Sequence, residues 1–457
     1  MVDLIKLIGT IVWGPQMLIF LMGIGLYFTI RLKFIQLFGF SDAIKFLLSK
    51  TGLSRHKQNE KGDLTSYEAL MTSLGGVVGN GNIASVATAI AIGGPGAIFW
   101  MWISAIFGMA NSFAETSLGV YYRHVRKDGS ILAGPMYYIK YGLGWKWLAV
   151  IFAFFMGLRT LITTSTIQIN SMTLVINKLL GVPMLLSGIV IAILIWLVII
   201  KGIQSIASVA IKLTPFMVIA YLVVGIFIIL LNITEIPSLF VLIFTSAFTP
   251  QSAAGGFAGA SVMLAMRYGV ARGTFSSEAG AGVAPIIHGA AEATSPSAQG
   301  KVSMLGVFID TIIINTLTAL VILSAALWTT GSTSTVLVAS SFESGIGAIG
   351  GWVVGVASVL FGFSTLIAWP YYGEQGFAFL FGDKIRIPFR WLFCFALLAG
   401  TVDEVEAIWI LADVMNGMMV IPNLIALVAL GGLVMRLATG NDKHDEKDFV
   451  FKEDEGK

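Results

Sequence analysis

Residues 182–200 read VPMLLSGIVIAILIWLVII, nineteen positions without a charge. A stretch of about twenty apolar residues is the length that crosses the hydrocarbon of a bilayer as a helix, and inside hydrocarbon every backbone N–H and C=O has to be paired within the chain. About eleven such runs follow one another, with approximate limits 7–30, 64–93, 95–122, 147–177, 183–201, 206–232, 261–292, 302–328, 347–380, 388–402 and 404–436. The composition agrees. With 56% hydrophobic and 12% charged residues over 457 positions, a soluble domain would be left with large exposed apolar patches. The chain is expected to be an all-α integral membrane protein. Segment 236–260 is apolar but interrupted by Gly, Ser and Pro, and reads as a short external helix pair or a re-entrant piece.

Cytoplasmic connections carry an excess of Lys and Arg, and this orients the spans. Arg31, Lys33, Lys45, Lys50, Arg55, Lys57 and Lys61 follow the first span, Arg123, Arg126, Lys127, Lys140 and Lys146 the third, and Lys384, Arg386 and Arg390 the ninth. The intervening segments 329–346 and 401–406 hold no Lys or Arg. This places the N-terminus outside, the C-terminus in the cytoplasm, and a disordered tail beyond residue 440 of a multi-pass protein of the cell membrane. Arg267 and Arg272 then fall on the outer half of the seventh span, where they either line a wet cavity or mark a misplaced boundary. Cys394 is the single cysteine, so the chain has no internal disulfide.

Two spans are broken. SLGGVVGNGNIAS (73–85) places Gly75, Gly76, Gly79 and Gly81, with Asn80 and Asn82, in mid-membrane, and TFSSEAGAGVAP (274–285) places Glu278, Gly280, Gly282 and Pro285 there. Small residues four apart also let helices pack closely, but four glycines with two asparagines exceed that need. Unpaired backbone is tolerated at this depth only where it faces protein or a water-filled cavity. The two breaks lie five spans apart, and an odd spacing reverses direction through the membrane. That parity is the arrangement of an inverted-topology repeat whose broken helices meet at a central substrate and ion site.

The segments GNGNIASVATAIAIGGPGAIFWMW (79–102), AGPMYY (133–138), GVARGTFSSEAGAGVAP (269–285) and IPNLIAL (421–427) resemble the alanine/glycine:cation symporter family, over nearly the whole chain. The resemblance implies a LeuT-type 5+5 inverted repeat with one extra N-terminal helix and two broken helices. The expected divisions are 1–63 (extra helix and cytoplasmic loop), 64–232 (first repeat), 233–260 (external connection), 261–436 (second repeat) and 437–457 (cytoplasmic tail). It also implies import of a small neutral amino acid, alanine or glycine, with Na⁺ as the co-transported ion. A larger substrate such as glutamine, or H⁺ coupling, is the alternative. Asn80, Ser277 and Val283 depart from the residues usual in the family, which leaves the substrate preference open.

Roles follow from the chemistry of a helix break. Successive free N–H groups beside a half-helix N-terminus form an anion nest for a carboxylate, assigned to Gly79, Asn80 and Gly81; a Cβ at either glycine is expected to obstruct it. On the other side, the carbonyls of Gly75 and Val78 are free to ligate Na⁺. The LeuT-type match adds the Phe361 carbonyl and the Ser364 and Thr365 hydroxyls, although such hydroxyls also bond to their own helix turn. Gln168 matches a family glutamine and is expected to bind substrate through its amide, with Phe275 and Trp369 closing the pocket. Asn82 would ligate an ion or brace the unwound segment. Glu115, Glu278 and Asp310 are intramembrane acids, functional candidates on that ground, and Asp413 lies near a wet face. No HExxH, nucleophile elbow, paired aspartates or GxxxxGK[ST] loop is present, and the histidines at 56, 124, 288 and 444 do not cluster, so an enzyme or an ATP-driven pump is not expected. A channel would need a continuous polar path.

Overall fold

The computed structural model describes residue 9 and residues 12–53, 63–126, 130–251, 259–292, 295–402 and 406–440. It is almost wholly helical, apart from a two-stranded hairpin, β1 (His124–Val125) and β2 (Ile131–Leu132). In chain order the helices used below are α1 (Pro15–Arg31), α2 (Ser66–Val77), α3 (Gly81–Gly93), α4 (Gly96–Tyr121), α5 (Lys146–Leu180), α6 (Met184–Ile199), α7 (Ile203–Leu231), α8 (Ile236–Ser246), α9 (Val262–Ser277), α10 (Ala284–His288), α11 (Pro296–Ser324), α12 (Ser334–Ile346), α13 (Ala348–Phe381), α14 (Arg386–Leu398), α15 (Glu406–Ala429) and α16 (Gly431–Thr439). Among the described residues, six of these are long and apolar enough to cross a membrane, or seven if the bent pair α2–α3 is one span. The four remaining expected spans correspond to shorter helices: α1 has 17 residues, α6 has 16, α9 has 16 and is followed by the five-residue α10, and α14 has 13.

Both expected breaks are present. α2 opens with a capping box in which Thr65 and Glu68 satisfy each other's backbone N–H groups, the reciprocal arrangement that fixes a helix start. It ends at Val77, and α3 departs at 54° to it. The second break follows Ser277, with Glu278, Gly280 and Gly282 at φ values of 55°, 85° and 75°. Three left-handed positions within five residues cannot continue a right-handed helix, so the chain restarts only at the five-residue α10.

Local structure departs from expectation in three places. Segment 329–346 is not simply a loop, because α12 occupies most of it and buries Leu337, Val338, Ser341 and Phe342, a stripe with helical spacing. Segment 236–260 contains α8 and an antiparallel bridge between Gln251 and Ala260, while residues 252–258 lie outside the described residues. The last span is interrupted at Leu430, and α16 carries helix on to Thr439, past the boundary at 437. The tail 441–457 lies outside the described residues.

Among the described residues, four stretches adopt π-helical turns: Gly81–Ser85, Tyr138–Gly142, Thr160–Thr164 and Phe308–Asn315. Such turns interrupt the regular ladder and concentrate at functional sites. Three of the four flank the cavity and polar cluster described next. The buried core forms two large apolar bodies, one containing Phe28, Phe113, Phe152 and Phe393, the other containing Leu74, Ile90, Tyr221, Phe342 and Phe361.

Candidate functional site

At the first break the ladder stops because Gly79 N–H, which would continue it onto the Gly75 carbonyl, donates instead to Asn82 Oδ1 at 3.0 Å. The released carbonyls find side-chain partners. Trp369 Nε1 donates to Gly76 O at 3.0 Å, and the Ser364 hydroxyl lies 3.3 Å from Val78 O and 2.9 Å from Phe361 O. The Thr365 hydroxyl donates to Phe361 O at 3.0 Å. Gly75 packs against the same turn, since a Cβ built on it would stand 3.7 Å from Ser364 Cβ. The structure therefore gathers Gly75, Val78, Phe361, Ser364 and Thr365 at one junction of α2 and α13. Their carbonyl and hydroxyl oxygens are the donor type a hard cation takes. The two hydroxyls also make the local back-bonds that Ser and Thr make in any helix.

On the other side of the break, a cavity of about 30 Å³ is lined by Gly76, Val77, Gly81, Gln168, Phe275, Thr365 and Trp369, together with Arg159, Thr163, Thr164, Ile167, Glu278 and Ala412. It joins the two breaks, because a Cβ at Gly81 would lie 3.8 Å from Phe275 Cδ1 and from Ser276 Cα. Phe275 is tilted against Trp409 at 5.7 Å between ring centroids, and Trp369 meets Tyr372 edge-on at 5.4 Å. Of the three N–H groups assigned to the nest, two are engaged within the protein: Gly79 with Asn82, and Asn80 with Gln168 Oε1 at 3.3 Å. The Asn80 side chain turns from the cavity, donating to Gln168 Oε1 at 2.9 Å and accepting from Ser358 at 2.5 Å. Gln168 thus spends its carbonyl oxygen on Asn80. Its Nε2 would stand 3.0 Å from a Cβ at Gly79.

The intramembrane acids separate by environment. Asp310 belongs to a buried cluster with Asn82, Ser276, Thr311 and Asn315. Asn82 Nδ2 lies 2.6 Å from Asp310 Oδ1, 2.9 Å from Asn315 Oδ1, 3.0 Å from Ser276 Oγ and 3.3 Å from Asp310 O. Four acceptors around an amide with two N–H bonds make this a dense oxygen site, and Asn82 ties it to the first break. Glu115 accepts from the N–H groups of Gly280 (3.4 Å) and Gly282 (3.0 Å) and from Asn423 Nδ2 (2.8 Å), while Asn423 also pairs with the Tyr138 hydroxyl. This carboxylate holds the second break. Arg272 pairs with Asp413 at 2.8 and 3.1 Å, and both line a separate cavity of about 440 Å³ with Arg267 and Tyr268, the first of the two alternatives the sequence left for these arginines.

Arg159 was missed by the sequence analysis. It is buried, donates to both carboxylate oxygens of Glu278 at 2.6 and 2.8 Å and to Asn416 at 3.2 Å, and its guanidinium carbon lies 4.5 Å from the Trp369 ring centroid. The available signal was its isolation, a single arginine inside the apolar run 147–177, because charge at that depth is costly and seldom idle.

A family model described as the sodium:alanine symporter family matches residues 1–453. The chain belongs to the sodium:alanine symporter family. Curated relatives match along nearly their full lengths. The sodium/alanine symporter AgcS of Methanococcus maripaludis is 40% identical, the match covering 95% of this chain and 96% of AgcS. A protein of Bacillus subtilis named "Probable sodium/glutamine symporter GlnT" is 35% identical over 99% of this chain and 93% of its own. Among solved structures, MhsT in complex with L-phenylalanine superposes with a TM-score of 0.56 at 14% identity, covering 83% of this chain and 99% of MhsT. That likeness establishes a LeuT-type fold. This member of the sodium:alanine symporter family is thus a multi-pass membrane transporter and not an enzyme.

Proposed function

We propose that the protein imports a small neutral amino acid, alanine or glycine, together with Na⁺ by alternating access between two inverted repeats, 64–232 and 261–436. The observation that carries this is the partition of the first break. Its Gly75 and Val78 side meets the Phe361, Ser364 and Thr365 oxygens, while its Gly81 side opens on a cavity walled by Phe275 and Trp369. The cation is cargo held by neutral oxygens. The carboxylate of the substrate is received at the N-terminal end of α3, where the Gly81 N–H and the positive end of the helix dipole favour an anion; Gly79 and Asn80 join when Asn82 and Gln168 release them. The bulk of Phe275 and Trp369 on the cavity wall favours a substrate with a hydrogen or methyl side chain over glutamine.

The deciding measurement is uptake of an amino-acid panel into proteoliposomes under a Na⁺ gradient, an H⁺ gradient or neither. Alanine or glycine uptake that needs Na⁺ is expected. Preference for glutamine, or uptake driven by H⁺ alone, refutes the corresponding half of the proposal. Substrate and ion sharing one break should also tighten each other's binding by the same factor, so alanine affinity that does not change with Na⁺ concentration counts against a shared site.

A further inference from the structure

We propose that Glu278 receives the ammonium group of the substrate and that Arg159 is the positioning residue that aims its carboxylate; this rests on the amino-acid reading above. The second break supplies the first argument. Glu278 occupies a left-handed backbone position, φ 55°, where glycine or asparagine is the ordinary occupant and a longer residue is strained. Strain of this kind persists where the side chain is needed at that point. The second argument is burial. Arg159 and Glu278 are both buried, and a buried ion pair adds little to stability compared with apolar residues of the same volume, so packing alone gives no reason to place one here.

Geometry then assigns the two charges different tasks. Both side chains line the cavity that joins the breaks. Arg159 directs both terminal nitrogens at Glu278, one of them also at Asn416, with its guanidinium carbon over Trp369, while its Nε is buried without a hydrogen-bond partner among the described residues. The Glu278 carboxylate accepts two hydrogen bonds from Arg159, whereas a carboxylate offers about four lone-pair sites. Acceptor capacity therefore remains on Glu278, in the cavity that the Gly81 end of α3 also lines. A zwitterion laid between them puts its carboxylate on the helix N-terminus and its ammonium on Glu278. Because the Arg159–Glu278 pair is neutral as a unit, the site favours a zwitterion over a free anion or cation. The substrate class this selects is amino acids with an N–H-bearing ammonium.

The test uses the reconstituted full-length protein, with radiolabelled alanine and glycine uptake and Na⁺ binding measured without substrate. The double variant Arg159→Met/Glu278→Gln removes both charges together, avoiding an orphaned ion. It is expected to bind Na⁺ as the wild type does, with KM for alanine raised roughly ten- to hundred-fold, the loss of a charged hydrogen bond. A wild-type KM in this variant overturns the proposal. If the double variant does not fold, Glu278→Asp decides: a raised KM with unchanged Na⁺ binding supports the role, and an unchanged KM overturns it. On the wild type, trimethylglycine, which has no N–H to donate, is expected not to compete where glycine does; equal competition overturns the role. A wild type that takes up no neutral amino acid with Na⁺ overturns both this inference and the reading beneath it.

Discussion

Two glycines in one break do different work. A Cβ on Gly79 would stand 2.5 Å from Thr365 Oγ1 and 3.0 Å from Gln168 Nε2, so Gly79→Ala forces both side chains to move. At Gly81 the nearest atoms to an added Cβ are 3.8 Å away, an ordinary contact that leaves the fold intact. Gly79→Ala is expected to impair Na⁺ and substrate binding together, because Thr365 faces both. Gly81→Ala should retain Na⁺ binding and weaken alanine uptake more than glycine uptake, since its methyl takes space from the cavity alone. Competition of the two substrates on this variant measures the difference, and equal weakening refutes the assignment. The hydroxyls allow a second comparison. Ser364→Ala/Thr365→Ala removes two of the oxygens proposed to hold the cation, which lipid cannot replace, so half-saturating Na⁺ should rise about ten-fold or more, equivalent to about 1.4 kcal/mol. Thr365→Ser keeps the oxygen and should stay near wild type. Unchanged Na⁺ dependence in the double variant places the ion elsewhere.

Each broken element is tied by a polar residue from another part of the chain. Asn82 anchors the first break to Asp310, Asn315 and Ser276 on α11 and α9, and Glu115 on α4 anchors the second through the Gly280 and Gly282 N–H groups and Asn423. Glu115→Ala strips three buried donors of their acceptor, and each costs about 1–3 kcal/mol when left unpaired. The melting temperature in detergent should therefore drop clearly, and more than for Thr116→Ala, the adjacent buried hydroxyl with no hydrogen-bond partner among the described residues. Equal melting temperatures would show that the second break does not depend on this carboxylate.

Across the whole molecule, orientation is the property most open to direct measurement. Ser332 precedes α12 and α13, and Lys384 follows the end of α13. A 34-residue helix is about 51 Å long at about 1.5 Å per residue, enough to separate its ends by more than the bilayer. After Cys394→Ser, cysteines introduced at Ser332 and Lys384 should react with an impermeant thiol reagent from opposite sides, Ser332 from outside, as the Lys/Arg asymmetry requires. Labelling of both from one side overturns the orientation. Transport of a zwitterion with one Na⁺ also moves net charge, so inside-negative potential should drive uptake by about 2.3 kcal/mol per 100 mV. Uptake indifferent to potential excludes one-to-one symport.

The helical membrane character, the positions of both breaks and the residues around them were legible in the sequence, because each follows from local causes: apolar run length, glycine clusters and the cost of unpaired backbone in lipid. Gly75, Val78, Phe361, Ser364 and Thr365 could be grouped through family resemblance, and the tertiary structure brings them to one junction. Other features depended on partners far away in the chain. Whether Asn80 faces substrate or Ser358, which N–H groups of the nest stay free, and why Gly79 and Gly81 tolerate a Cβ so differently are set by α5 and α13 closing on the break. Arg159 shows the limit most plainly. Its charge was visible in an apolar run, but its meaning required Glu278, 119 positions away, because a buried charge takes its role from the counter-charge that folding places beside it.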